Sequence, residues 1–240
     1  MLPFFALTLV VSCRVSQTEK PLEGYYFPIK SLKNGLVYAY QPLGPDSAAV
    51  EYWYFRSENR GGRPWLVSQF YRPDFSVGQL VEEEIFENGA VARNILLFEK
   101  DSASGKSVQI PTTIREGNVF PFEKLDSTEN LRFSLDWHPL KDPAATIFLK
   151  RTRQFAGESE PFFFKNKSQK TVRFVLREVV GNQNEGNSEV EGHGGEVYAA
   201  GLGLVFYKKE FDGGLTMAYR LVDTFSMAEL ERRAKPILLK

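Results

Sequence analysis

The stretch Asn130–Pro139, NLRFSLDWHP, sets Leu131, Phe133, Leu135 and Trp137 in strict alternation with Arg132, Ser134, Asp136 and His138. A period of two over eight residues marks a strand with one face on a core and one in water, because successive side chains of an extended chain point to opposite sides. The same alternation recurs in Leu215–Asp223, LTMAYRLVD, where Leu215, Met217, Tyr219 and Leu221 share one face and Thr216, Ala218, Arg220 and Val222 the other. One-sided burial of this kind belongs to antiparallel sheets.

Outward from these two segments, β-branched and aromatic runs at 36–40, 48–56, 65–71, 79–87, 91–99, 106–110, 145–154, 171–180, 196–200 and 203–211 read as further strands. They are separated by turn clusters, among them Asn34-Gly35, Asn88-Gly89, Ser104-Gly105 and Asp212-Gly213-Gly214. The Asn-Gly and Asp-Gly pairs read as hairpin turns, because these residues tolerate positive φ. One helix is expected, at the C-terminus: Ser226-Met227-Ala228-Glu229 forms a capping box, LERRA follows, and Pro236 ends it. The fold class is therefore all-β and mainly antiparallel. A single large twisted sheet must cover its apolar face, by closing on itself or by wrapping a helix or loop, so a half-barrel or open barrel with room for a ligand is expected. No linker or repeat divides the chain, and 22–240 reads as one β-rich domain. Within it, Gly181–Gly195, GNQNEGNSEVEGHGG, reads as a loop.

Thirty basic and thirty acidic residues balance to zero net charge, which removes the electrostatic footprint of a nucleic-acid binder. Twenty Phe and ten Tyr among 240 residues point instead to an aromatic folded interior. The single cysteine, Cys13, excludes a disulfide framework, so packing must hold the domain together.

That cysteine ends an uncharged opening, MLPFFALTLVVSC. The apolar run Leu2–Val11 is too short to span a bilayer as a helix, which needs about 20 residues, but suits the apolar region of an export signal. Residues 1–12 are expected to be a signal peptide. Val10-Val11-Ser12-Cys13 resembles the lipobox of bacterial lipoproteins: two aliphatic residues, a small residue, then cysteine. The resemblance implies a diacylglyceryl group on the Cys13 thiol, cleavage before it and acylation, palmitate-like, of the new amine. Residues 13–21 would then be a lipidated tether. Two acyl chains suffice for stable membrane anchoring. Arg14 stands where an aspartate would mark inner-membrane retention, so the resemblance implies an outer-membrane anchor facing the periplasm.

Three further stretches, GYYFPIKSLKNGLVYAY, NVFPFEKLDSTENLRFSLDW and EVYAAGLGLVFYKKE, resemble a loosely defined group of uncharacterised β-rich cell-envelope lipoproteins. The matching residues are Tyr26, Phe27, Pro28, Tyr38, Tyr40, Phe120, Pro121, Trp137, Tyr198, Gly201, Gly203, Leu204 and Val205, while Leu36 and Val37 stand where that group often carries Trp. The resemblance implies an envelope location and a β-rich fold, and no activity.

Chemistry is harder to assemble. EVEGHGGE brings Glu189, Glu191, His193 and Glu196 close in sequence, but one histidine among glycines makes a poor metal site, and a solvated loop is the simpler reading. HGG has no Gly-x-Ser-x-Gly partner to supply a nucleophile. In AAGLGLVFY, Gly203 leads into a β-type run rather than a helix, so the glycines serve a bulge or hairpin and no dinucleotide is implied. No phosphate loop is present, and no cofactor or metal is expected. His138 sits at a strand end before Pro139. Glu82 and Glu84, on the face opposite Val81 and Glu83, could be paired carboxylates, although a charged row that deters edge pairing explains them more simply.

In AVEYWYFRS, Glu51, Trp53 and Phe55 share one face and Tyr52, Tyr54 and Arg56 the other, so aromatics are available on both. EPFFFKNK adds Phe162, Phe163 and Phe164, which cannot all point inward. Tyr52, Tyr54, Trp65 and Phe163 are the expected ligand-binding residues, for stacking on a flat ligand or lining an apolar pocket. Two readings of function follow. One is a noncatalytic, lipid-anchored envelope protein that binds an apolar small molecule or a partner protein. The other is a carbohydrate-binding or glycan-processing accessory protein that uses the tyrosines and tryptophans. An envelope hydrolase is the weakest, because no nucleophile, base and orienting group can be brought together.

Overall fold

The computed structural model describes residues 21–44, 49–126, 128–184 and 189–238; the expected signal peptide and Cys13 lie outside the described residues. The chain forms β1 (Leu36–Pro42), β2 (Glu51–Arg60), β3 (Arg63–Tyr71), β4 (Val77–Ile85), β5 (Gly89–Lys100) and β6 (Ser107–Pro121). It continues through β7 (Asn130–Trp137), β8 (Ile147–Phe164), β9 (Lys167–Asn182), β10 (Glu189–Ala199), β11 (Gly203–Phe211), β12 (Thr216–Phe225) and α1 (Met227–Leu238). Every strand pairs antiparallel with its neighbours in sequence, and β12 returns to β1, with Val37 opposite Phe225 and Tyr40 opposite Leu221. The twisted sheet thus closes fully into a barrel, which leaves no exposed strand edge.

Each strand expected from the sequence corresponds to one of these. Several are longer than their apolar patterns suggest. β6 continues through polar residues to Pro121, β8 extends to Phe164, and β10 begins at Glu189. Inside a closed barrel a strand finds backbone partners on both sides, and that pairing holds segments whose own composition reads as loop. Glu189–Gly195 is accordingly strand, not loop. Asn34-Gly35 turns the chain from a short 3-10 segment, Ile29–Leu32, into β1, rather than joining two strands. The helix α1 runs past Pro236 to Leu238, since the fixed φ of proline is itself helical.

A barrel of about eight strands is just filled by its own side chains, and twelve enclose more space. The chain fills one end with its own N-terminal segment. Leu22, Tyr26 and Leu32 are buried there, and Phe27 stacks on Phe55 with ring centroids 4.2 Å apart. Backbone bonds seat this plug: Leu22 N–H donates to the Phe122 carbonyl (3.0 Å) and Gly201 N–H to that of Gly24 (2.9 Å). Gly203 is obligatory beside it, because its φ is +87° and a Cβ would lie 2.6 Å from the Phe27 ring. Outside, α1 packs on β1, burying Leu230 and Ala234 of the helix, while Val37 and Ala39 are buried on the same strand.

The outer wall carries a set of exposed and half-buried ion pairs. Arg60 pairs with Glu82 (2.7 Å), Arg63 and Arg93 both pair with Glu84 (2.6 and 2.9 Å), and Arg177 pairs with Glu191 (2.5 Å). Glu82 and Glu84 therefore do not guard an edge: β4 lies inside a closed sheet, and both carboxylates are matched by arginines. No helix among the described residues is long and apolar enough to cross a membrane.

Candidate functional site

Above the plug the barrel holds a cavity of 490 Å³ that reaches from Phe27 and Phe55 at the floor to the strand ends Glu51 and Trp137. Its volume lies in the range of about 300–1,000 Å³ usual for small-molecule sites. Alternation fixes its lining, since every second residue of each strand points in.

The lining has two unlike walls. One is apolar, formed by Val81 of β4, Ile95 and Leu97 of β5, Val119 of β6, and Phe133, Leu135 and Trp137 of β7. Trp53 and Phe70 continue it, their ring centroids 5.2 Å apart. The other wall, from β8 to β11, is charged. Arg153 grips Glu196 through Nε (2.7 Å) and a terminal guanidinium nitrogen (3.2 Å), and the Tyr198 hydroxyl donates to the same carboxylate (2.9 Å). Nearer the mouth, Arg151 Nε donates to Glu178 (2.6 Å), and Lys209 Nζ donates to both Glu178 oxygens (3.0 and 3.1 Å).

Lys209 stands on β11 and Glu178 on β9, with β10 between them. Their side chains meet because β10 presents Gly192, opposite Glu178, and Gly194, opposite Lys209. A Cβ on Gly194 would lie 1.8 Å from the Lys208 carbonyl oxygen. The glycines that suggest a loop in the sequence are the gap through which two strands exchange a charge pair.

The electrostatics follow from burial and partners. Burial opposes ionisation of Glu196, but the charge and hydrogen bonds of Arg153 outweigh it and hold the carboxyl at about 2. Glu178 is likewise disfavoured by burial yet kept below the usual carboxylate range by Arg151 and Lys209. Burial and the neighbouring Arg151 pull the Lys209 ammonium below its ordinary value. For Glu83, on β4, burial raises the carboxyl to about 7, against the pull of a hydrogen bond from the Tyr26 hydroxyl and of the Arg153 charge. Glu51, near the mouth, is raised by burial while accepting bonds from Tyr207 (2.5 Å) and Trp53 (3.4 Å).

The four ligand-binding residues expected from the sequence all lie on the outer face, and none lines the cavity. Tyr52 stacks on Phe75 and meets Phe225 edge-on, beneath Arg233 of α1. The Tyr54 ring closes over Gly35. Trp65 lies under the Arg60 guanidinium, 4.8 Å from its ring centre. Phe163 is 70% exposed near the tip of the β8–β9 hairpin, while Phe162 beside it is buried. Glu196 faces the interior, whereas His193 points outward toward Glu191 (3.2 Å), so strand alternation keeps Glu196 apart from the imidazole in EVEGHGGE. Among the described residues no group of three or more His, Cys, Asp or Glu is placed to hold a metal.

The interior residues had a signal of their own. In IFLKRTRQF, Arg151 and Arg153 alternate in phase with Leu149 and Phe155, and in TVRFVLREV, Glu178 follows Val172, Phe174 and Leu176 in phase. Charges on the apolar face of a strand announce a polar interior.

No protein-family model and no curated protein matches the chain. Two solved structures do. A protein from Bacteroides fragilis described as a "putative exported protein with YmcC-like fold" matches with a TM-score of 0.55 and 11% identity, over 84% of this chain and 99% of that one. A "putative lipoprotein" from Parabacteroides distasonis matches with a TM-score of 0.52 and 10% identity, over 82% and 95%. The likeness is one of fold.

Proposed function

We propose that the chain is a lipid-anchored cell-envelope protein whose barrel is a noncatalytic receptacle for an apolar small molecule. The observation that carries this reading is the 490 Å³ cavity, closed by a plug at one end and lined on one side by aliphatic and aromatic residues. A ligand that lay against this apolar wall would take its surface out of water and gain the contacts of burial. The lipobox resemblance at Cys13 supports the anchor, and both structural neighbours are described as exported or lipoprotein molecules. The chain enters the barrel at the plugged end, so an anchor upstream would hold that end and leave the mouth at the far one. An outer-membrane, periplasm-facing position is part of the same proposal.

The test uses the neutral probe N-phenyl-1-naphthylamine. Trp53 and Trp137 line the cavity, so a bound probe should accept energy from them, saturating at one per chain. Leu135→Trp, which fills the cavity from the apolar wall, should abolish this while the protein stays folded. Binding that never saturates, or that ignores Leu135→Trp, would refute the reading. Mass spectrometry of the membrane-extracted protein should find diacylglyceryl-Cys13 as its first residue.

A further inference from the structure

Resting on that reading, we propose that the occupant is a single-chain amphiphilic monoanion, an alkyl carboxylate, with its tail on the apolar wall and its carboxylate received by Arg151 and Lys209. Glu178 is one carboxylate shared by two cations, both in bonding contact with it. The neighbouring pair is balanced one to one, Arg153 on Glu196. Arg151 and Lys209 are also the cations that keep free surface toward the cavity, with side chains 21% and 17% exposed against 6% for Arg153. At Glu178, therefore, two cations share one carboxylate, on donors that line the cavity beside apolar side chains.

Two cations on one carboxylate repel each other, and charge held away from bulk water interacts strongly and is poorly solvated. A second carboxylate at Arg151 and Lys209 would balance it, and a guanidinium is suited to that partner. One surplus charge matches a monoanion better than a phosphate dianion. The other ionisable groups around the site are already engaged: Glu51 with Tyr207 and Trp53, Glu83 with Tyr26, and Arg153 with Glu196 and Tyr198. Burial raises the Glu51 carboxyl, which weakens it as a competitor for the Lys209 ammonium, and Glu196, the other carboxylate that acts on Lys209, is held by Arg153. Beside the cations, Leu149 of the same strand as Arg151 and Leu135 and Trp137 of the neighbouring β7 provide the surface for a tail.

The experiment compares dodecanoate, dodecanol, dodecyl phosphate and dodecyltrimethylammonium on the wild-type chain by displacement of the neutral probe. Dodecanoate should bind at least roughly tenfold more tightly than dodecanol, the scale of one charge-assisted hydrogen bond, with the phosphate weaker than the carboxylate and the ammonium weakest. Arg151→Gln leaves Lys209 on Glu178 as a balanced pair and should bring dodecanoate down to the level of dodecanol. Arg151→Lys should restore most of the difference, and Lys209→Met should repeat the loss from the other side. The ratio of dodecanoate to dodecanol affinity is read within each variant, so a general change in the cavity moves both ligands together and leaves the ratio alone. Equal binding of dodecanoate and dodecanol by the wild-type chain overturns the inference without needing any variant. Tighter binding of dodecyl phosphate overturns the choice of a carboxylate. If the neutral probe itself fails to bind, the underlying reading fails first, and the two failures are distinguishable.

Discussion

The hydroxyl of Tyr26, in the plug, donates to the carboxylate of Glu83, in the wall, and joins residues 57 positions apart inside the barrel. Glu83 is raised from 4.5 to about 7 by burial. The barrel therefore holds its proton over a range in which the unfolded chain has released it. More protons on the folded state means that stability declines as pH rises from about 4.5 to about 7 and then levels. Glu83→Gln keeps an acceptor for Tyr26 without the charge. Relative to wild type it should be about 3 kcal/mol more stable at pH 8 than the same comparison shows at pH 4, a difference readable from urea midpoints.

The Arg153–Glu196 pair acts with the opposite sign. Glu196 is depressed to about 2, so its contribution is present above about 4.5 and is lost as pH falls toward 2. Both side chains are almost fully buried. Removing one partner strands the other, and Glu196→Gln should cost about 3–5 kcal/mol at pH 7. Replacing both, Arg153→Met with Glu196→Gln, should cost less than either single change. A double-mutant cycle by chemical denaturation measures this.

Gly194→Ala tests the gap in β10. Its Cβ would meet the Lys208 carbonyl oxygen at 1.8 Å, so the β10–β11 backbone must move. The loss should be about 2 kcal/mol or more, from overpacking and from parting Lys209 and Glu178. Gly213→Ala is the control for backbone strain alone: it has a φ of +88° and nothing near its Cβ. It should leave binding of the neutral probe unaltered.

The plug should behave as part of the core. Phe27→Ala removes a ring stacked on Phe55 and opens the floor of the cavity. It should lower stability by about 3 kcal/mol. Probe binding should survive, with red-shifted emission as water reaches the floor.

Strand positions were legible because apolar alternation is local. NLRFSLDWHP lies on β7, with Phe133, Leu135 and Trp137 in the cavity wall. The capping box was legible only in part. Ser226 Oγ does accept from the Glu229 N–H at 3.4 Å, but the Glu229 carboxylate turns to Arg233. In AVEYWYFRS both faces of β2 are aromatic, and composition cannot say which is inward. Trp53 and Phe55 line the barrel; Tyr52 and Tyr54 cover it.

The sequence by itself determined that the chain is built of antiparallel strands with a short terminal helix, because period two, turn residues and a cap are properties of neighbours along the chain. The tertiary structure decided that the sheet closes, which face is inside, and that Arg151, Glu178 and Lys209 meet there. Those outcomes depend on register summed around twelve strands, and a shift of one residue exchanges every inward side chain for an outward one. No local window of sequence contains that sum.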